Sequence, residues 1–346
     1  MASDLTSPGP SAARDIAAAA DGESLGDALL EGTVVRKVYG HYDVETSSGR
    51  LRCLLRGKLR KELIYSTSRS WAKRVQTVRA LSVTDPVAVG DQVLVRPISS
   101  EDEIDGVIEE VRPRERELTR QAAGERPVAQ TLLAGIDQVI IVFAASRPEP
   151  HLRMLDRFMV VAEVGEVDAL VCINKADLGV PLELAEAVED YERIGYRVVL
   201  TSVLLGLGIE DLRRILVGKV SALVGPSGAG KTSLLNAIQP GLGSRIGHVN
   251  RLTGKGRHTT TGTTLIPLEG LDGAKVADTP GLRTLGLWNV DPDELDYCFR
   301  DFRPYLGKCA FPDCTHDHEP GCAVQAAVDA GEISERRYES YLQLRG

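Results

Sequence analysis

Two different hydrophobic patterns divide the chain into a strand-rich first part and a later part that alternates strands with helices. In residues 32–115, apolar positions come in short alternating runs, as in RLRCLLRG, where Leu51, Cys53 and Leu55 share one side. The runs TVVRKVYGHYDVET, VGDQVLVRPI and IDGVIEEV are separated by Gly and Asp turn residues. Several short strands in one segment predict a small β-barrel of the OB type, although a small SH3-like barrel fits the same pattern.

After residue 135 the pattern becomes that of a layered α/β domain. Strand-like runs such as DQVIIVFAA, DALVCI, YRVVLTS and KVSALVG alternate with amphipathic runs such as HLRMLDRFMVVAEVG, PLELAEAVEDYERIG and IEDLRRIL. Alternation of this kind predicts a doubly wound, parallel sheet. The sequence therefore predicts a multi-domain chain, with boundaries at 1–31 for a disordered acidic tail, 32–118 for the barrel, 119–288 for the α/β domain and 289–346 for an α-helical C-terminal domain.

Composition restricts the class of protein. Charged residues make up 26% of the 346 residues, and the longest strongly apolar run, VIIVFAA, has seven residues, far fewer than the roughly 20 that a transmembrane helix needs. The N-terminal segment has no basic region of the kind that opens a secretory signal. Six cysteines in a chain of this length favour a reduced protein. We therefore expect a cytoplasmic protein with no membrane partner.

Charge is unevenly distributed along the chain. The formal net charge is −8, which by itself does not indicate a nucleic-acid-binding protein. Residues 50–79, however, contain ten Lys or Arg and one acid, Glu62, which gives this segment a net charge of +9. A basic segment of this density predicts contact with a phosphate-rich partner such as RNA, and the alternative is a solvated basic surface.

The stretch GPSGAGKT at 225–232 has the form of a phosphate-binding loop. It follows an apolar strand and opens the helical run SLLNAI, which is the context that the motif requires. Lys231 is predicted to reach the β- and γ-phosphates, and Thr232 to bind Mg²⁺. The alternative is a glycine-rich turn with an incidental lysine. The predicted nucleotide-binding residues here are Gly225, Pro226, Ser227, Gly228, Ala229, Gly230, Lys231, Thr232 and Ser233.

A second motif, NKAD, ends a predicted strand and gives specificity for guanine. The Asp177 carboxylate can accept two hydrogen bonds from a guanine base, and adenine lacks that pair of donors. Lys175 is predicted to lie along the base, and Asn174 to tie its loop to neighbouring segments. In TSVL, Ser202 and the backbone beside it are predicted to support the base.

The stretch DTPG also ends a strand, and its Asp278 lies 46 residues after Thr232, the last residue of the phosphate-binding loop. Asp278 is predicted to hold Mg²⁺ through water, and the Gly281 N–H to meet a γ-phosphate. An Asp-Gly turn without such a role is the alternative.

The segment CAFPDCTHDHEPGC supplies Cys309, Cys314, His316 and Cys322 in a C-x4-C-x-H-x5-C pattern. Three thiolates and one imidazole make a closed tetrahedral shell, the kind used for structural zinc. We therefore predict one structural Zn²⁺, with His318 as a competing ligand and reduced buried cysteines as the alternative. Catalytic zinc is not expected, because four protein ligands leave no open position.

In this sequence the base-reading NKAD precedes the phosphate-binding loop, and GRHTTT and DTPG follow it. That order resembles the circularly permuted GTPases. With a small N-terminal barrel and a C-terminal Cys/His cluster, the chain resembles the RsgA (YjeQ) family over about residues 32–340. The resemblance implies an OB barrel, a permuted GTPase domain and a zinc domain. It also implies a monomer that hydrolyses GTP to GDP, is stimulated by the 30S subunit and contacts 16S rRNA in late small-subunit maturation.

The residue that activates water is not obvious from the motifs. Leu282 stands where Ras-like enzymes place a glutamine, so another group must orient the water. The family resemblance indicates His258 in GRHTTT as the catalytic residue, and a threonine of the same run, Thr259 or Thr260, as a Mg²⁺ ligand. A loop histidine that contacts RNA or solvent is the alternative for His258.

Three other functions fit parts of the sequence. If Leu282 leaves hydrolysis unsupported, the chain is a GTP-gated rRNA-binding switch with negligible turnover. A permuted GTPase acting on the large subunit is disfavoured by the barrel and the Cys/His cluster. A kinase with a phosphate-binding loop is disfavoured by NKAD.

Overall fold

The computed structural model describes residues 28–38, 40–57, 59, 86–99, 103–121, 129–243, 263–278 and 294–346. The chain forms two compact units, Met1–Pro113 and Arg114–Gly346. Within the described ranges, no helix combines the length and the apolar character needed to cross a membrane.

The first unit contains a closed, five-stranded β-barrel. Its strands are β1 (Leu30–Val38), β2 (His41–Thr46), β3 (Gly49–Leu55), β4 (Gln92–Pro97) and β5 (Gly106–Val111). The strand order is β1-β2-β3-β5-β4, and pairing of β4 with β1 closes the barrel. All neighbours are antiparallel except β3 and β5, which run parallel. This closed arrangement confirms the prediction of an OB-type barrel.

Alternation of apolar and polar residues explains why these strands close around a core. Val34, Val44, Val95 and Ile108 are fully buried inside the barrel. Cys53 is buried with them, and burial raises the pKa of its thiol to about 12, so the thiol is protonated at neutral pH. The barrel is therefore held by a small aliphatic core.

The second unit is built on a six-stranded sheet. Its strands are β8 (Gln138–Ala144), β9 (Asp168–Asn174), β10 (Arg197–Leu200), β11 (Val220–Val224), β12 (Thr264–Pro267) and β13 (Lys275–Asp278). They lie in the order β10-β9-β8-β11-β13-β12, all parallel except the β12–β13 pair. Every residue of β8 is buried, as expected for a central strand covered on both faces. The sheet confirms the predicted α/β architecture.

Helices follow the strands of this sheet at the predicted places. They are α1 (Leu152–Val164), α2 (Leu182–Arg193), α3 (Ile209–Leu216) and α4 (Lys231–Ile238). The sequence patterns did not reveal strand β12 or an antiparallel hairpin of β6 (Glu117–Gln121) and β7 (Ala129–Ala134). Both are short, and their apolar runs are too brief to indicate a strand by periodicity.

The C-terminal part of this unit is helical and rich in aromatic residues. It contains a 3₁₀ helix at Asp296–Cys298, α5 (Ala323–Asp329) and α6 (Glu335–Arg345). Phe299, Phe302 and Tyr341 are fully buried, with ring centroids 4.9–5.5 Å apart. These rings form the core on which the cysteine-rich segment is built.

Candidate functional site

The predicted phosphate-binding loop joins β11 to α4 at the carboxyl edge of the sheet. Gly225, Gly228 and Gly230 all have positive φ angles, of 129°, 82° and 94°. A Cβ atom on Gly225 would lie 2.1 Å from the Val142 carbonyl oxygen, so only glycine fits against the neighbouring strand. The loop therefore turns tightly at the first residue of a helix, where backbone N–H groups and the helix dipole favour an anion.

Lys231 reaches back across this loop. Its Nζ donates to the carbonyl oxygens of Gly225 and Pro226, both at 2.7 Å. Thr232 and Ser233, in the first turn of α4, are exposed. A positive charge and two hydroxyl groups therefore lie at one helix end, and their roles toward phosphate and Mg²⁺ stay predictions.

The base-reading motif is attached directly to the phosphate-binding loop. Asn174 Nδ2 donates to the Ala229 carbonyl oxygen at 2.9 Å, across 55 residues of sequence. The two motifs follow β9 and β11, which lie on either side of β8. A Cβ atom on Gly230 would come within 2.2 Å of Asn174 Nδ2, so the contact also depends on glycine. The permuted order of motifs in the sequence is therefore compatible with a single site.

Thr201 holds the side chain of Asn174 in place. The sequence motifs did not indicate this role for Thr201. It is fully buried, and its Oγ1 donates to Asn174 Oδ1 at 3.1 Å. The neighbouring Cys172 thiol lies 3.4 Å from Thr201 Oγ1, and burial raises its pKa to about 11. Thr201 directly precedes Ser202 in TSVL, but its bond to Asn174 joins residues 27 apart and has no local sequence signal.

Asp177 and Lys175, the two predicted base-reading residues, each bond to a neighbouring segment of the chain. Ser202 Oγ donates to Asp177 Oδ1 at 2.5 Å, which fixes one oxygen of the carboxylate. Lys175 has a left-handed backbone, with φ 59°, and its Nζ donates to the Arg147 carbonyl oxygen at 2.5 Å. Asp177 is only half-buried, so its carboxylate is accessible to a ligand.

Several predicted site residues fall outside the part of the chain that the structure describes. They include His258, Thr260 and Gly281, and Leu282 also lies outside that part. For Asp278 the structure describes the backbone, which ends β13 beside β11. The roles of these residues stay predictions.

The four predicted metal ligands come together in the C-terminal part. The ligand atoms of Cys309, Cys314, His316 and Cys322 all lie within 4.8 Å of one another. The Sγ atoms of Cys309 and Cys322 are 4.0 Å apart, and His316 Nδ1 lies 3.5 and 3.4 Å from them. Ligands at Zn–S distances of about 2.3 Å in a tetrahedron are about 3.8 Å apart. The cluster therefore has the dimensions and donor set that suit zinc.

A carboxylate orients the histidine of this cluster. His316 Nε2 lies 3.2 Å from Asp296 Oδ2, so Nδ1 faces the thiols. Carboxylates commonly hold metal-binding histidines in this way. Backbone N–H groups of Ala323 and Gln325 donate to the sulfurs of Cys309 and Cys322 at 3.3 and 3.4 Å. His318 is exposed and outside the cluster, which disfavours it as a ligand.

Buried charges attach this C-terminal part to the sheet domain. Arg337, 1% exposed, donates to Asp156 Oδ1 of α1 at 2.6 Å and to Asp301 Oδ1 at 2.7 Å. Arg336 and Ser340 also donate to Asp156, at 3.1 and 2.6 Å. Burial alone would lower the pKa of Arg337, but the two carboxylates outweigh it and hold the pKa well above its usual value. No local sequence pattern indicated this cluster.

A second carboxylate on α1 repeats the arrangement. Glu163 accepts from Arg300 Nε and from Arg303 Nη2, both at 2.6 Å. Tyr196 OH also donates to Glu163, at 3.1 Å, and the Arg300 guanidinium stacks 4.2 Å from the Tyr196 ring centroid. Two carboxylates at different positions of α1 therefore hold the C-terminal part.

Part of the predicted basic segment is ion-paired within the barrel. Arg52 bonds to Glu103 at 2.7 Å, and Arg56 bonds to Glu109, which also pairs with Arg96 at 3.0 Å. Residues 60–79 all lie outside the described residues. An RNA-binding role for the segment stays a prediction.

Known proteins resemble this chain over nearly its whole length. A family model described as RsgA GTPase matches residues 111–288. The small ribosomal subunit biogenesis GTPase RsgA of Gemmatimonas aurantiaca is 42% identical over 91% of this chain and 96% of its own length. The protein of the same name from Moorella thermoacetica is 41% identical, over 90% and 95%.

Two solved structures agree with this similarity. YjeQ from Thermotoga maritima superposes with a TM-score of 0.68 and 34% identity, over 92% of this chain and 98% of that one. YloQ, described as a circularly permuted GTPase, gives a TM-score of 0.64 and 29% identity, over 93% and 96%. Because relatives more than 40% identical are matched over about nine-tenths of both chains, this chain belongs to the RsgA GTPase family.

Proposed function

We propose that this chain is a GTPase that hydrolyses GTP to GDP and phosphate during biogenesis of the small ribosomal subunit, stimulated by the 30S particle. The observation that carries the proposal is the hydrogen bond from Asn174 to Ala229, which unites a guanine-reading motif with a phosphate-binding loop. The names of the relatives, small ribosomal subunit biogenesis GTPases, supply the process.

The base is selected by Asp177. Its carboxylate, held by Ser202, accepts hydrogen bonds and donates none, so it matches the N–H groups on one edge of guanine. Lys175 contributes its aliphatic stem along the base. Adenine lacks this pair of N–H donors, so bound ATP would leave the carboxylate unpaired. That cost strongly disfavours ATP relative to GTP.

The phosphates are held by the loop at 225–232 and by Lys231. In the structure Lys231 donates to two neutral carbonyl oxygens, and a phosphate oxygen, which is charged, is a stronger acceptor that can take their place. The oxygen donors Thr232 and Thr260, with Asp278 through water, are the residues proposed for Mg²⁺. When bound with GTP, Mg²⁺ neutralises charge on the β- and γ-phosphates.

Hydrolysis requires a group that orients water. We propose His258 for this role, with Gly281 donating its N–H to the γ-phosphate. An imidazole near its ordinary pKa can orient water and share a proton at neutral pH.

The Cys/His cluster is proposed to hold one structural zinc. The barrel and the C-terminal part are proposed to contact 16S rRNA.

The test is single-turnover GTP hydrolysis by the full chain, alone and with purified 30S, 50S or 70S particles. We expect stimulation that is largest with 30S particles. Equal stimulation by 50S particles would exclude a function specific to the small subunit. Turnover that stays negligible with every particle, while GTP-dependent 30S binding persists, would instead identify a GTP-gated rRNA-binding switch.

The variant His258→Ala separates binding from hydrolysis in the same assay. We expect unchanged GTP affinity and loss of most of the 30S-stimulated rate. An unchanged stimulated rate would remove His258 from the mechanism and leave water activation to the ribosome.

A further inference from the structure

Exposed apolar side chains are concentrated in one part of the second unit. Seven of the thirteen large hydrophobic residues that are exposed in the described chain fall within residues 178–207. Leu182 is 75% exposed and Leu204 is 81% exposed. Isolated apolar residues on a surface need no explanation, whereas exposed apolar residues that lie together mark interaction sites. We define the leucine patch by its six leucines: Leu178, Leu182, Leu200, Leu204, Leu205 and Leu207.

The leucine patch comes from two segments that hydrogen bonds hold side by side. Ala176 N donates to the Thr201 carbonyl oxygen at 3.0 Å, and Ser202 Oγ bonds to Asp177 at 2.5 Å. The second segment is closed by a bond from Ser202 N to the Leu207 carbonyl oxygen at 3.0 Å. The exposed leucines are therefore carried by an ordered part of the backbone beside the base-reading loop.

Helix α2 places acidic groups next to the leucine patch. It begins at Leu182, and its exposed carboxylates Glu183, Glu186 and Glu189 follow within two turns. None of these three forms an ion pair with another described residue, whereas the one basic residue of the helix, Arg193, pairs with Asp190. Leu182 and Glu186 are four residues apart and so lie on the same side of the helix.

We propose that the leucine patch and the acidic face of α2 form a docking surface for a basic protein segment of the small ribosomal subunit. The proposal rests on the function proposed above. Apolar side chains of the partner would cover the leucines, and its Lys or Arg residues would meet the unpaired glutamates. The same glutamates repel phosphate, so this surface is directed at protein and not at rRNA.

The first test places a photo-reactive phenylalanine at position 182 or 204 of the full chain, bound to purified 30S particles with a slowly hydrolysed GTP analogue. We expect an adduct that survives ribonuclease and is destroyed by protease. An adduct destroyed by ribonuclease would overturn the proposal. So would an adduct between two copies of this chain, because it would assign the surface to self-association.

The second test measures 30S affinity for surface variants. Leu182→Glu should weaken binding at least tenfold, because it removes an apolar side chain that the partner would cover in the complex and adds an unpaired charge there. Val217→Glu is the matched control, since Val217 is a 46% exposed residue that follows α3. We expect it to change the affinity less than twofold. An equal effect of both substitutions would overturn the proposal.

The third test uses charge to distinguish the two partner classes. The double variant Glu186→Lys, Glu189→Lys should bind 30S particles less tightly if the partner is a basic protein segment. Tighter binding would identify RNA as the partner and overturn the proposal.

A control measures GTP affinity without ribosomes, which should be the same for Leu182→Glu and the native chain. A parallel loss of GTP affinity in Leu182→Glu would assign the leucine patch to the nucleotide site.

These outcomes separate failure of the inference from failure of the proposed function. If the native chain hydrolyses GTP but binds no 30S particle, the ribosomal function and the docking surface are both wrong. If the native chain and Leu182→Glu bind 30S particles equally well, only the docking surface is wrong.

Discussion

The nucleotide edge of the sheet and the C-terminal part of the same unit are held together by different forces. At the nucleotide edge, the described links include neutral bonds, such as Asn174 to Ala229 and Thr201 to Asn174, and bonds with one charged partner, from Lys231 to carbonyl oxygens and from Ser202 to the Asp177 carboxylate. In the C-terminal part, buried carboxylates of α1 receive two arginines each.

The difference follows from what each region must do. A site that receives a charged phosphate needs a cation that can exchange a carbonyl oxygen for a phosphate oxygen. A region that must keep one orientation gains from buried charges, because breaking one pair leaves an uncompensated charge behind. We therefore expect changes in the C-terminal part to affect folding and changes at the nucleotide edge to affect binding.

The largest effect should come from loss of the metal ligand set. Cys314→Ser should abolish zinc binding and unfold the cysteine-rich segment, because structural zinc contributes about 10–16 kcal/mol of apparent binding free energy in small domains. Elemental analysis and hydrogen exchange measure the two effects. Cys298→Ser is the control, since this buried thiol lies outside the cluster. Full zinc content in the Cys314 variant would contradict the assignment of ligands.

The next largest effect should follow from Arg337→Met. It leaves Asp156 and Asp301 buried without their main partner, which should cost about 3–5 kcal/mol. Hydrogen exchange in α1 and α6 would measure the local free energy of opening. Arg336→Met, at a residue whose side chain is 21% exposed, should cost less. If both variants lower the local free energy of opening by the same amount, the burial of Arg337 does not explain how strongly the C-terminal part is held.

A smaller effect, confined to binding, is expected for Asp177→Asn. The amide presents a donor where the carboxylate only accepts, so GTP affinity should fall about 100-fold, or about 2.7 kcal/mol. Affinity for xanthosine triphosphate should rise, and thermal stability should change little. Asp211→Asn, an exposed acid on α3, is the matched control. Retained preference for GTP would show that Asp177 does not read the base.

The smallest effect is expected for Thr201→Val, which keeps the shape of the side chain and removes its hydroxyl. Loss of the bond to Asn174 should cost about 1 kcal/mol and weaken GTP binding about fivefold. Ser221→Ala removes another buried hydroxyl, bonded to Gln138 at 2.9 Å at the start of β11. Because that end of the strand is opposite the nucleotide edge, GTP affinity should not change. Equal losses in both variants would show that Thr201 acts only through stability.

Much of the architecture was predictable because each element has its own local pattern. The run IEDLRRIL became α3 with the predicted limits, Ile209–Leu216, since its apolar residues recur at helical spacing. The barrel followed from alternation in short runs. The sequence pattern did not predict the hairpin of β6 and β7, because its strands have too few alternating positions to be distinguished from a loop.

For the candidate site, the sequence by itself supplied the residue types of each motif and the chemistry that they predict. Each motif is short. The glycines at 225, 228 and 230 belong to one loop, the acid of NKAD belongs to another, and one segment contains Cys309, Cys314, His316 and Cys322. What each motif can bind depends on its backbone conformation and on the types of its donor and acceptor atoms, and both depend mainly on residues close in sequence. The predicted assembly of the four metal ligands required only a short loop that turns back on itself.

Only the tertiary structure decided which distant residues meet. Thr201 supports Asn174, Asp296 orients His316, and Arg337 reaches Asp156 across 181 residues of sequence. An isolated Asp or Arg has no local pattern, because its pairing is favourable only after packing removes both charges from water. Motifs therefore specified what can bind, while the fold specified how the binding parts are held in place.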